Sequence, residues 1–220
     1  IAILYQNDDA GKDYLRGVKD ALGADADKVI AMASSFEVAD PTVDSQILTL
    51  ANTKADVFLI YSVTPRACAQ AIRKAYETGW RPMRFISSGC TNKDTVFVPA
   101  GVEASTGIMS VVALKTYSQD TKDAGLLAYA EFMKSRLPNV DLGNFAAGYG
   151  YMVAQALVVV LEQCKNDLSR ANLKKVPLSM LLPGITLNTS PTDYRPIRDG
   201  YMVEFRDNQL NVISELLRGS

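Results

Sequence analysis

Hydrophobic positions open the chain with a period of two and leave neither side polar. Ile1, Ile3 and Tyr5 face one way and Ala2, Leu4 and Gln6 the other. The run IAILYQ therefore predicts a strand covered on both faces, as in a parallel sheet. The period then becomes helical: Tyr14, Leu15, Val18, Ala21 and Leu22 form one stripe over residues 12–22, and Gly23 can stop it. Residues 29–34 read as a second strand. Asp40-Pro41 offers an N-cap and a proline at the first helical position, with Val43, Ile47, Leu50 and Ala51 at helical spacing behind it. Residues 56–61 (DVFLIY) predict a third, buried strand. Pro65 opens a helix with Cys68, Ile72, Ala75 and Tyr76 inward, ended by Gly79; residues 83–87 and 107–112 predict a fourth and a fifth strand. Repeated strand–helix–strand units imply a parallel α/β sheet with helices on both faces.

After Ala113 the pattern changes. Residues 115–122 are a polar connector. A helix follows with Leu126, Leu127, Ala130, Met133 and Leu137, broken by residues 138–143. A long helix over about 144–164 carries Val153, Ala156, Leu157, Val160, Leu161 and Cys164 on its apolar face. A short helix near 169–175 and an irregular stretch over 176–199 come next. The chain closes on a hairpin, GYMVEF and LNVISEL, turning at Asp207-Asn208. The helices of 123–175 have almost no strands of their own to cover, and the first strand starts without a cap or leader. Both features lead us to expect the downstream part of a longer protein, with two lobes sharing a crossing chain.

Composition narrows the chemistry. With 48% hydrophobic and 21% charged residues the 220-residue chain has enough apolar side chains for a sizeable core. A net charge of −1 argues against nucleic acid, which calls for a basic face. The most apolar run, residues 152–161, is too short to span a bilayer. There is no histidine, which removes Ser–His–Asp and Cys–His nucleophile systems and the commonest zinc ligand. Cys68, Cys90 and Cys164 make neither CxxC nor a disulfide framework and read as small hydrophobes of a core, with pairing of Cys68 and Cys90 left open.

Local motifs add little catalytic chemistry. Asp8-Asp9 follows the first strand, where an α/β sheet places its ligand crevice. A Mg²⁺-binding receiver site would also need an Asp ending the third strand and a Lys ending a later one; Tyr61-Ser62 and Ser87-Ser88 stand there instead. Capping of the next helix by Asp8 or Asp9 is the better reading. Gly148-Tyr-Gly150 lies in a helical pattern with no preceding strand and no third glycine, so it is not a dinucleotide loop. The triplet at Asn188 and the carboxylate pairs Asp25/Asp27 and Glu204/Asp207 assemble no site. What remains are loops 8–11, 62–66 and 87–92, with Ala10, Ser62, Thr64, Ser87, Ser88 and Thr91. They begin helices whose free N–H groups favour anions, and they suit reversible binding of a small solute better than chemistry.

The segments IAILYQNDDAGKDYLRGVKDALG, ADPTVDSQILTL, ADVFLIYSVTPRACAQAIRKAYETGW and LLPGITLNTSPTDYRPI together resemble ABC-transporter solute-binding proteins of the branched-chain amino acid type. The resemblance implies a periplasmic-binding-protein-like α/β fold: two doubly wound lobes with parallel sheets that close on a ligand, the first lobe incomplete in these residues. Residues 1–112 would be the second lobe, 113–199 the returning part of the first, and 200–220 the last strands of the second, with hinges near Val112 and Asp199. The ligand would be held by Asp9, Ala10, Ser62, Val63, Thr64, Ser88, Gly89 and Cys90, and by hydroxyl groups of the absent N-terminal segment that grip its carboxylate. Two departures matter. Relatives that bind branched-chain amino acids carry an aromatic residue where this chain has Ala10. They also carry an acidic residue, to pair the ligand ammonium, in the stretch that here reads Ser88-Gly89-Cys90. A buried ammonium without a counter-charge is costly, so a small organic or aromatic acid is expected.

The implied partners are a small-molecule ligand and ABC permease subunits of the inner membrane, in a periplasmic or lipid-anchored extracytoplasmic setting, with no cofactor, metal or nucleic acid. The ligand-sensing domain of a receptor or regulator would use the same lobes. An α/β enzyme is disfavoured by the absent histidine and by loops poor in reactive groups.

Overall fold

A computed structural model of the chain describes residues 1–113, 117, 121–173, 175–176, 179–182, 185–190, 192–193 and 195–218. Most of the polar connector at 115–122 and parts of the stretch 176–199 lie outside the described residues. The chain divides into two compact units, residues 1–111 with 202–214 and residues 112–201 with 215–220.

In the first unit, β1 (Ala2–Gln6) leads into α1 (Asp9–Leu22) and one helical turn, α2 (Ala26–Val29). There follow β2 (Met32–Phe36), α3 (Asp44–Asn52), β3 (Val57–Tyr61), α4 (Pro65–Glu77) and β4 (Met83–Ile86). The short helices α5 (Val98–Ala100) and α6 (Val102–Ser105) precede β5 (Ile108–Val112). The sheet order is β2-β1-β3-β4-β5-β8-β9, where β8 (Tyr201–Arg206) and β9 (Gln209–Val212) form the closing hairpin. β1 lies between two parallel neighbours, with Ala2 opposite Met32 on one side and Phe58 on the other. Its two-sided hydrophobicity is thus the signature of an interior strand. Asp207 and Asn208 turn the hairpin at φ +54° and +59°, the positive values a two-residue connection needs to match strand twist.

One face of the sheet carries the core. Ala2, Leu4, Phe58, Ile60 and Ile86 pack on Ile47 and Leu50 of α3 and on Ile72 and Ala75 of α4. Phe97 and Phe205 stack at 4.3 Å where β8 joins. On the opposite face α1 is held close by Gly11: a Cβ there would stand 1.8 Å from the Gln6 carbonyl oxygen. Glycine is therefore required at that point.

Three expectations are corrected. The second strand runs over 32–36 rather than 29–34, because the α2 turn, amide of Ile30 still bonded to the Ala26 carbonyl, extends through Val29. Asp40-Pro41 starts no helix. Asp40 instead caps a turn by accepting from the Glu37 amide at 2.9 Å, and Arg66 and Gln70 of α4 donate to the Asp40 and Pro41 carbonyls, so α3 begins only at Asp44. Cys68 and Cys90 form a disulfide rather than lying reduced in the core. α4 and the turn after β4 meet only in the fold, so sequence spacing held no sign of it. Cys164 is buried and free, as expected.

The second unit contains α7 (Ala124–Arg136), α8 (Phe145–Cys164), a turn α9 (Arg170–Leu173) and the antiparallel pair β6 (Ser179–Leu182) and β7 (Ile185–Asn188). The hairpin falls within the stretch expected to be irregular. Asp123 and Asn144 cap α7 and α8 by accepting from the second and third amides of each. Leu126, Tyr129 and Met133 cluster with Tyr151, and Met152 packs on Leu187. The rest of the apolar stripe of α8 lies open: Val153, Leu157 and Val158 are each half exposed or more. An apolar groove of about 740 Å³ runs between Phe132 and Leu137 of the first helix and Gly150, Ala154 and Val158 of the second. Patches of this kind mark surfaces that bind something. Expressed by themselves, the 220 residues should bind a hydrophobic dye strongly and self-associate in light scattering. A monodisperse, dye-silent chain would refute that reading.

Candidate functional site at the carboxyl rim of the sheet

Three loops leave the carboxyl ends of β1, β3 and β4 at one rim, and a buried amide joins the first two. Gln6, the last residue of β1, is only 4% exposed. Its Oε1 accepts the Ser62 hydroxyl at 3.1 Å and the Thr64 hydroxyl at 2.9 Å, both from the loop after β3. Its Nε2 donates to Asp8 Oδ2 at 2.5 Å, in the loop after β1. The other Asp8 oxygen accepts from the Gly11 amide at 2.8 Å and so caps α1. The loop after β4 joins through Ser87, whose hydroxyl donates to the Ser62 carbonyl at 2.5 Å. The disulfide completes the tie. Having no proton to give, Cys90 Sγ rests 3.1 Å from that same carbonyl as a contact.

This network sorts the expected contact residues. Ser62 is fully buried, and its hydroxyl both donates to Gln6 and accepts from the Thr64 amide at 2.8 Å. Cys90 is likewise interior, spent on the disulfide. Thr64 is half-buried, with its hydroxyl on Gln6. Asp9, Ala10, Val63, Ser88 and Gly89 lie exposed. Val63 and Gly89 are neighbours across two loops, since a Cβ on Gly89 would stand 3.4 Å from Val63 Cγ1. Asp9 and Ala10 open α1, in the loop that Gln6 reaches through Asp8. Ser62 and Cys90 thus shape the rim from within, and the exposed side chains present it. Sequence reasoning missed Gln6; the available signal was one amide ending an otherwise apolar strand.

The electrostatics of the rim follow from its hydrogen bonds. The Gly11 amide, then the Gln6 side chain, hold the Asp8 carboxyl below its ordinary 3.8. Behind the rim, Tyr14 of α1 stacks on Tyr61 at 4.3 Å. Burial raises both phenols, with Asp8 and Asp13 adding to the effect on Tyr61. These rings wall an open, mostly apolar groove of about 470 Å³ that reaches Ser88 and runs along Leu59, Phe85 and Val111 of the sheet face.

A mostly parallel sheet with three loops converging at its carboxyl rim defines a doubly wound α/β chain of the periplasmic-binding type. The chain belongs to the periplasmic binding protein family, whose sequence profile matches residues 1–209. Among solved structures it is similar to a fatty acid ABC transporter substrate-binding protein from Thermomonospora curvata, at 20% identity and a TM-score of 0.77, over 99% of this chain and 57% of that one. A substrate-binding periplasmic protein from Ralstonia solanacearum matches at 18% identity and a TM-score of 0.77, over 96% and 60%. A "possible leucine/isoleucine/valine-binding protein" from Rhodopirellula baltica SH 1 matches at 16% and 0.75, over 97% and 58%. The chain thus spans about three fifths of the length of these structures. No curated protein sequence matches it.

Two outcomes test the site. Gln6→Leu removes the nearer acceptor of the buried Ser62 hydroxyl, leaving only the Thr64 carbonyl at 3.5 Å, and should cost about 1–3 kcal/mol in urea unfolding. Gln6→Leu/Ser62→Ala removes both partners and should recover part of that loss; strictly additive losses would show that the pair is not coupled. For Asp8, the folded carboxyl ionises more readily than the unfolded one. Its contribution is complete above the unfolded value near 3.8 and disappears as pH falls through the lower folded value. Asp8→Asn keeps a capping side chain, so thermal melts of the variant should lose less stability on acidification than the parent. Superimposable pH profiles would remove Asp8 from the acid limb.

Proposed function

We propose that this chain carries the second-lobe ligand loops of an extracytoplasmic solute-binding protein that captures a small carboxylated solute and delivers it to an ABC permease of the inner membrane. The observation that carries the reading is the rim itself: two loops joined by Gln6 and a third tied to them by Ser87 and the disulfide, presenting Asp9, Ala10, Val63, Ser88 and Gly89. Small and hydroxyl groups at helix starts bind a solute and release it unchanged. Nothing in this set forms a nucleophile with its base. Membership of the family and a disulfide, which persists in oxidising compartments, support a periplasmic or lipid-anchored location.

In this reading residues 1–112 and 200–220 belong to the second lobe and 113–199 to the first, with hinges near Val112 and Asp199. The apolar run at 152–161, too short by itself to span a bilayer, lies within the longer α8, which as a whole has the length and hydropathy of a membrane span. Its open stripe is assigned instead to burial against a sheet from polypeptide beyond these 220 residues, which would also supply the hydroxyl groups for the ligand carboxylate. The shares of 57–60% of the similar structures' lengths leave room for such a segment. The solute lacks an ammonium, because the turn Ser88-Gly89-Cys90 carries no counter-charge and Ala10 leaves space where an aromatic ring would stand. Titration calorimetry on the full-length protein should give tighter binding of benzoate or an aliphatic monocarboxylate than of leucine. Leucine binding as tightly as any of these acids would overturn the ligand class, and no binding of any of them would overturn the solute-binding reading.

A further inference from the structure

The geometry points to the Cys68–Cys90 disulfide as a positioning device for the rim, which clamps the turn after β4 to the loop after β3. The inference rests on the solute-binding reading for its purpose, since the turn it holds presents Ser88 and Gly89.

The covalent path is short. Cys68 sits one turn into α4, whose amide still bonds the Thr64 carbonyl at the helix start. Cys90 ends the tight turn Ser88–Cys90. The bond therefore joins the first turn of one rim helix to the last residue of the neighbouring rim turn, 22 residues on. Both sulfurs belong to fully buried residues, so the link is an internal strut.

Apart from burial of Cys90 in the core, the hydrogen bonds of the turn are mostly local. The amides of Cys90 and Thr91 bond to Ser87 and Ser88, and the Thr91 hydroxyl also returns to Ser88. These bonds are local and move with the turn. The parallel ladder of β4 ends with Ile86 opposite Ile60, followed by the Ser87 amide on the Ile60 carbonyl. Beyond that point, among the described residues, the ties to the loop after β3 are the Ser87 hydroxyl, the packing of Gly89 on Val63, and the disulfide. Of these only the disulfide is covalent, and it also presses Cys90 Sγ against the Ser62 carbonyl. Removing it frees a turn that carries two exposed positions, Ser88 and Gly89, while the β1 ladder, which neither cysteine joins, keeps its pairing with β2 and β3. A mere stability staple would act instead on the whole unit, through the unfolded chain.

Amide hydrogen exchange on the full-length protein separates the two roles without any ligand. In Cys68→Ala/Cys90→Ala, amides of 62–64 and 87–91 should exchange at least tenfold faster, while the β1 amides of residues 2–6 keep the parent rate. If that variant does not fold, the parent held reduced by a phosphine should show the same local pattern, and reoxidation should restore slow exchange. Unchanged rim exchange would overturn the proposal. So would acceleration spread equally over β1 and the rim, which would assign the bond to global stability alone. Because exchange is read without solute, a failed titration with benzoate or leucine would leave this result standing, and the converse holds too.

Discussion

A buried amide at the end of an interior strand constrains everything at the rim. Gln6 lies almost out of reach of water, and an amide there must find partners for its oxygen and its N–H groups or cost the fold its desolvation. It finds them on two loops, Ser62 and Thr64 on one side and Asp8 on the other. That requirement places the loops after β1 and β3 relative to each other. The same carboxylate then caps α1, so the start of that helix is set by the network that fixes the loops. Gly11 allows the close approach on which this geometry depends.

The rim is therefore built in two layers. Gln6, Ser62, Ser87 and the disulfide form an interior scaffold, while Asp9, Ala10, Val63, Ser88 and Gly89 stand outside it. In the proposed function, such a division would suit a protein that holds a solute and then lets it go. In that reading the inner layer would limit the ordering entropy of binding, because its loops are already in place, and the outer layer would set what fits. On the proposed function, selectivity would then change by substitution at Ala10 or Gly89 without loss of the frame.

The two units face different demands. The first closes its own core around β1, β3 and α4, with Phe205 of the hairpin completing it. The second has well-capped helices but only small clusters around Met152 and Tyr129. Its helices form for local reasons, through the caps Asp123 and Asn144 and through propensity, while burial of the α8 stripe is left unmet at Val153, Leu157 and Val158.

Periodicity alone determined the interior position of β1, the strand–helix alternation that makes the sheet parallel, the helix opened by Pro65, and the closing hairpin at Asp207-Asn208. Each is local: a two-sided strand, a proline at a helix start and a two-residue turn carry their geometry within a few residues. The loops of the rim were legible for the same reason, since they follow from where strands end. Only tertiary structure decided the rest. Asp40-Pro41 lost its helix start because Arg66 and Gln70, in a later element, compete for its backbone carbonyls. Cys68 and Cys90 pair because α4 and the turn after β4 meet at one edge. Ser62 turned inward and Gln6 became the junction because both are buried at a point where three loops converge. No one-dimensional pattern encodes that convergence, because the partners lie up to 58 residues apart and the cost of an unpaired buried amide is felt only once the sheet has formed.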